Sequence, residues 1–316
     1  MRLRRNLLLL PVACLVIAAL AAQSPSDPDW QTAAGGKMAF EVASVKPAKL
    51  GKPETFILPT FWLGLDEAKP PGGRFRGSFP LVNYISFAWK LQPFQMEPGR
   101  AQLPKWANDL YLIDAKADGN PTKDQMRLMM QSLLADRFKL RVHFETKEVP
   151  VLALTLAEPG KLGANLHPHS EGPPCPDSFE MPKPLTLPPL PKPGDVFPAQ
   201  CGTHAQVWGT SDSTRLGSRN TTMGLLAQDI YDYGSLLGEL DKPVVDQTGL
   251  QGRFDFMLEL PAGMISFGPK PPSPDDAPKG TAFLDAVRKQ MGLKLERSRG
   301  EARTLLVDHV ERPSEN

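Results

Sequence analysis

Two cysteines and three histidines fall in one stretch of the chain: His167, His169, Cys175, Cys201 and His204. Imidazole and thiolate are the usual ligands of zinc, and Cys201-Gly-Thr-His204 has a ligand-like spacing. The other spacings follow no standard zinc pattern, so Cys175 and Cys201 read better as a disulfide. Asp246-Gln-Thr-Gly249 comes close to the Asp-Thr-Gly of aspartic proteases, but Gln247 interrupts it. That mechanism needs two carboxylates sharing one proton, and the first half of the chain offers no matching triplet. Turn formation is the simpler reading. There is no Gly-x-Ser-x-Gly elbow, Ser-x-x-Lys, His-Glu-x-x-His or phosphate-binding glycine loop. Asp275-Asp276 sits among prolines, and His143 and His309 fall on expected strands. The residues assign no catalytic group, no cofactor and no metal ligand. They point to a binding or interaction protein more than to an enzyme.

The N-terminus says where such a protein works. Arg2, Arg4 and Arg5 precede an apolar run from Leu7 to Leu20, which ends in Ala19-Leu20-Ala21-Ala22. A basic start, a short apolar run and small residues at the cut describe a signal peptide over residues 1–22. The run falls short of the roughly 20 residues needed to span a bilayer, and Pro11 breaks it. Pro11 also stands where lipoprotein processing at Cys14 would require leucine. The expectation is an exported protein, periplasmic or extracellular, with no transmembrane segment after cleavage. Cys175 and Cys201 are then the even pair left in an oxidising compartment. A formal net charge of +1 gives no field to attract nucleic acid. The expected partner is a small molecule or an envelope protein, of unknown identity.

The elements that must position these residues follow from hydrophobic period. Residues 23–38 are small and polar, a flexible leader. Phe40 to Val45 alternates as a strand stopped by Pro47, and Arg74 to Phe79 is a short strand. Leu81, Tyr84, Ile85 and Ala88 share a helical face, and Tyr111 to Ala117 alternates again. Thr122 is a plausible N-cap for a helix whose stripe is Met126, Met129, Met130, Leu133 and Leu134. Such a stripe is a core face more often than an adaptable methionine surface. Phe138 to Phe144 and Val151 to Leu156 read as two strands of a hairpin turning at Lys147-Glu148. Residues 158–214 lose all periodicity under a cluster of prolines and read as a connector. The second half then repeats the first. A helix begins near Asn220, Phe254, Phe256, Leu258 and Leu260 alternate after a turn at Gly249 and Gly252, and a helix carries Phe283, Val287 and Met291. Leu293 to Leu295 and Leu305 to Val310 match Phe138 to Leu140 and the hairpin's return strand. This predicts an α+β fold of two similar lobes from an internal duplication, residues 39–157 and 215–316. Each lobe would pack helices on a mostly antiparallel sheet, with a ligand between the lobes or under the connector.

Three segments carry a resemblance. They are Met130-Gln-Ser-Leu-Leu-Ala-Asp-Arg-Phe-Lys-Leu140, Pro243-Val-Val-Asp-Gln-Thr-Gly-Leu-Gln-Gly-Arg-Phe-Asp-Phe256 and Val307-Asp-His-Val-Glu-Arg-Pro313. The chain, over about residues 38–316, resembles a family of secreted, soil-associated bacterial proteins carrying a domain of unknown function. The resemblance implies many paralogues and, in some proteins, a place beside membrane-sensor peptidase modules. It brings no catalytic residues and no ligand. Two alternatives to a binder therefore stay open: a cell-envelope hydrolase without a recognisable motif, and an extracytoplasmic sensory domain.

Overall fold

The computed structural model describes residues 29–52, 55–57, 59–61, 63–67, 70, 72–170, 175, 201–209, 213–262, 264–265 and 282–313. The expected signal peptide and most of the connector lie outside these residues. The expected hairpin is not formed. Phe138 to Leu156 instead leads into one strand, β4 (Arg141–Leu156), which runs straight through Lys147 and Pro150. Lys147-Glu148 offers neither Gly nor Asn, so nothing supplies the positive φ angles of a two-residue turn. The second expected pair fuses likewise into β10 (Leu293–His309). β4 and β10 pair antiparallel along almost their whole length, with Leu293 opposite Leu156 and Leu305 opposite Phe144. At about 3.4 Å per residue the ribbon is roughly 50 Å long. Its two ends can therefore sit in different cores.

One end belongs to the first core. There β1 (Val42–Ala48), β3 (Leu110–Lys116) and β2 (Arg74–Pro80) form an antiparallel sheet in the order β1-β3-β2. β1 continues past Pro47, which was expected to stop it. It is an edge strand, where a missing N–H breaks no ladder bond. β2 passes directly into α2 (Leu81–Ala88), followed by α3 (Pro93–Gln102) and α4 (Lys123–Arg137). Thr122 caps α4 as the sequence predicts. Its side chain accepts from the Gln125 amide, and the Gln125 side chain accepts from the Thr122 amide, a reciprocal box that satisfies two end donors. All five residues of the methionine–leucine stripe are buried in this core, together with Leu305 from the far end of β10. α3 runs beside β10, and its Gln95 and Gln102 bond the Arg303 carbonyl and the Val307 amide. Where the sequence suggested a flexible leader, Asp29–Ala33 forms a short helix, α1.

The other end of the ribbon belongs to the second core. Its sheet has the order β5-β9-β7-β6, all antiparallel, from β5 (Leu166–Pro168), β9 (Phe254–Pro261), β7 (Ser213–Thr221) and β6 (Gln206–Gly209). Phe254, Phe256, Leu258 and Leu260 of β9 are all buried, as their alternation requires. α5 (Met223–Leu236) follows β7 as α2 follows β2, and α6 (Ala282–Met291) precedes β10 as α4 precedes β4. The short β8 (Val244–Asp246) adds parallel to β4 at Leu152–Leu154. Each long strand is entered through one residue in the left-handed region, Lys139 (φ 51°) after α4 and Gly292 (φ 69°) after α6. The described residues thus form a mixed α/β fold with six α-helices and three mostly antiparallel sheets. No described helix is long and apolar enough to cross a membrane.

Candidate functional site

The residues singled out for zinc chemistry do not come together. Cys175 and Cys201 stand at disulfide distance, S–S 2.04 Å with Cα atoms 5.4 Å apart. His169 Nδ1 lies 2.7 Å from Asp255 Oδ1, which also accepts the Asn220 amide. His167 pairs along β5 with Asp255 of β9. Among the described residues no three His, Cys, Asp or Glu side chains are grouped to hold a metal. Asp246 folds back on its own turn, accepting from the Thr248 amide at 2.9 Å and the Thr248 hydroxyl at 2.7 Å. Gly249 follows with φ 73°.

His204 goes elsewhere, into a clasp between the two halves. Gly64 lets the loop of residues 63–67 come so close that an added Cβ would lie 2.5 Å from His204 Cδ2. The Leu65 amide donates to His204 Nε2 at 3.2 Å, and His204 Nδ1 lies 2.8 Å from Asp229 Oδ1 on α5. Asp229 also accepts the Ala205 amide at 3.0 Å, and the Glu67 amide donates to the Gly202 carbonyl. Burial disfavours a charged His204 ring, and the Asp229 carboxylate more than reverses this, raising the pKa. The Leu65 amide still needs a lone pair on Nε2, so the ring shown here is neutral with its proton on Nδ1. Both nitrogens are then occupied, and His204 is a fastener rather than a free base.

Behind the same loop lies a buried ion cluster. Lys123 Nζ sits 2.6 Å from Asp66 Oδ2, with their side chains only 2% and 4% exposed. The fully buried Arg127 pairs with Asp124 and donates to the Gly64 and Asp66 carbonyls at 2.9 Å each. Glu67 bridges Arg253 of the second half and Lys90 of the first. Burial lowers the Lys123 pKa to about 8 against the pull of Asp66. Burial likewise raises that of Asp229 and takes that of Asp232 to about 6. The sequence carried one signal of this cluster. Lys123 and Arg127 stand four apart on the face that holds Met126 and Met130, where a cation needs a buried partner. Here, at least, the space between the halves expected to hold a ligand is filled by the protein's own charges.

An open site lies instead on the first core. Two adjoining cavities of about 460 and 670 Å³ share Gln31 of α1, Trp89 after α2 and Gln131 of α4. The larger one opens onto β4, where Val142 and Phe144 supply apolar surface. The Arg303 guanidinium lies 3.9 Å from the centre of the Phe144 ring. His143 Nδ1 holds Asp308 at 2.6 Å on the lip. Gln131 donates to the Ala88 carbonyl at 2.8 Å, which leaves its own carbonyl oxygen for the groove. Gln31 is 7% exposed. Its side-chain amide makes no hydrogen bond among the described residues and lines both cavities. Sequence reasoning missed this groove, since no local pattern joins Gln31 to a strand 110 residues later.

Against known proteins, the chain belongs to the family described as "Protein of unknown function (DUF3738)", whose model matches residues 82–310. α1, β1, β2 and the loop bearing Asp66 precede the matched region. No curated protein and no solved structure matches the chain.

Proposed function

We propose that this chain is an exported, non-enzymatic binding protein whose small-molecule ligand occupies the groove between α1, Trp89, Gln131 and β4. The observation that carries the reading is the pair of adjoining cavities that share Gln31, Trp89 and Gln131, with apolar surface from Val142 and Phe144 beside them. Gln31 makes no side-chain hydrogen bond among the described residues, so its amide is available to a ligand supplying a donor and an acceptor. Each cavity taken singly falls in the volume range of small-molecule sites, which join apolar walls to a few fixed polar groups. Export is supported by the basic and apolar N-terminus and by the paired cysteines. Descent of the halves from one ancestor is supported by their common element order and by the matched entries at Lys139 and Gly292.

The hydrolase alternative would need a hydroxyl or thiol on the free nitrogen of a carboxylate-bound histidine. The second nitrogen of His204 takes an amide, that of His143 faces Glu145 at 3.9 Å, and no described hydroxyl or thiol bonds the second nitrogen of His169, held by Asp255, or of His309, held by Glu311. Binding is therefore the better-supported reading. The test is native mass spectrometry of the protein after exposure to extracts of its growth medium, alongside Gln31→Leu and Trp89→Ala. Wild type should retain a small molecule that both variants lose. Retention by all three, or by none, would refute the groove.

A further inference from the structure

The larger cavity touches four successive residues of β4: Arg141, Val142, His143 and Phe144. Successive side chains of a strand point to opposite faces, so a cavity that meets all four wraps an edge of the strand. Hydrogen bonds further along β4 say which edge. The Leu152 amide donates to the Pro243 carbonyl, and the Gln247 amide donates to the Leu154 carbonyl. Even-numbered residues of β4 therefore turn their main-chain groups toward β8, and odd-numbered ones toward β10. β4 keeps one register against β10 from Leu156 down to Val142, so the same phase holds along the strand. The N–H and C=O groups of Val142, Phe144, Thr146 and Glu148 point to an edge that β8 occupies only at Leu152–Leu154, and no other described strand pairs there. Taking the binding reading above as the premise, we infer that the groove's small molecule is a short extended peptide, which adds to β4 as a strand and continues the row that β8 begins. An added strand gains affinity from main-chain hydrogen bonds and selectivity from alternate side chains. A second sheet is the other natural partner of such an edge, and here the edge is guarded against it. Lys147 and Glu148 place charge on it, and Pro150 removes a donor. None of these guards falls between Val142 and Phe144. There the facing bank of Gln31, Trp89 and Gln131 admits one chain and obstructs a sheet. Peptide residues opposite Val142 and Phe144 share their face, where both supply apolar surface, so apolar side chains belong at alternate positions. The residues between them share the face of the exposed His143 and are polar.

The experiment is calorimetric titration of the full mature chain with capped pentapeptides, N-acetylated and C-amidated. They carry Val, Leu or Phe at the first, third and fifth positions and Thr between. The tightest binder is then remade in two forms, N-methylated at its odd or at its even residues. Only alternate amides of an added strand face its neighbour, so one form should bind about tenfold or more weakly, a difference of about 1.4 kcal/mol, and the other about as well as the parent. Loss on odd methylation marks antiparallel addition, and loss on even methylation marks parallel addition, as for β8. Thr146→Pro removes one edge donor at an exposed position, where proline is tolerated. Once shown by thermal unfolding to be folded, it should weaken the parent peptide likewise, while Thr146→Val should not. If both methylated forms bind alike, strand addition is overturned. If no peptide binds while wild type still retains a growth-medium molecule that Trp89→Ala loses, the groove stands and the peptide inference is overturned. If nothing binds at all, the groove reading itself falls. A wild-type dimer in sedimentation that Thr146→Pro splits would put a second copy on this edge and overturn the inference too.

Discussion

Replacing Asp66 by Asn tests what the buried ion cluster does. Stranding a buried charge costs about 3–5 kcal/mol in general, and Lys123, at 2% exposure, would show that full penalty were it unable to change charge. It can. With its pKa already lowered to about 8 by burial, Lys123 holds its proton at pH 7 by only one unit, about 1.4 kcal/mol. Once Asp66 is neutral, releasing that proton is the less costly route, and the neutral amine can still bond the Asn oxygen. The expected loss at pH 7 is therefore about 2 kcal/mol, the proton plus a weakened hydrogen bond. The sign with pH follows. Wild type binds this proton below pH 8 and the variant does not, so the deficit grows by about 1.4 kcal/mol per unit as pH falls from 8 toward 6. By pH 9 both lysines are neutral, and about 1 kcal/mol or less remains. Urea unfolding of both proteins at pH 6, 7, 8 and 9 measures this directly, with equal m-values as the check that one transition is being compared. A deficit that stays constant from pH 6 to pH 9 would refute the account of Lys123 as a cation held in place by Asp66.

Other perturbations read the remaining parts of the clasp. Gly64→Ala drives a Cβ into His204 Cδ2 at 2.5 Å. It should cost about 1–3 kcal/mol in urea unfolding, and a neutral effect would mean the two loops are not in contact. Cys175→Ser with Cys201→Ser opens a loop of sequence separation 26. It should lower stability by about 3.5 kcal/mol on chain-entropy grounds, and reductant should reproduce the loss in wild type. Asp232, raised by burial from 3.8 to about 6, is an acid whose favourable contribution is complete below 3.8 and lost as pH rises through 6. Asp232→Asn should therefore stabilise the protein at pH 7, by less than about 1 kcal/mol because the carboxyl is only partly buried and solvent screens the remainder. That gain should shrink as pH falls toward 4, and denaturation midpoints at the two pH values check it.

What the sequence made legible was whatever is decided locally. The alternation of β9, the cap at Thr122 and the stripe of α4 each depend on residues within a turn or two of one another, and each appears as read. Strand boundaries were less secure. Lys147-Glu148 and Pro150 interrupt the hydrophobic period and so looked like a turn, yet β10 pairs across them residue by residue. A local pattern does not register a partner 150 residues away. Pro47 failed as a stop for a related reason, because only the sheet order reveals that β1 has a free edge. The clasp was hidden by distance, with Leu65 and His204 separated by 139 positions. Lys123 and Arg127 could have flagged it, as cations on an apolar face.

The fused strands also bear on how such a chain arose. β4 leaves its own core to place Leu152, Leu154 and Leu156 in the second one, while β10 leaves that core to place Leu305 and Val307 in the first. Each half thus lends the distal end of its longest strand to the other, and the middle of the ribbon, around Lys147 and Glu301, is exposed. A solitary half would carry an apolar strand end with nothing to cover it and a core lacking one of its strands. If both halves descend from one unit, that unit was stable only as a pair of copies exchanging these ends, and fusion turned the exchange into an internal one. The same geometry leaves the lobes no freedom to hinge widely about a cleft, since the ribbon and the Leu65–His204 clasp tie them at separate places. A ligand groove confined to one core, rather than shared between the lobes, is what such a rigid pair permits.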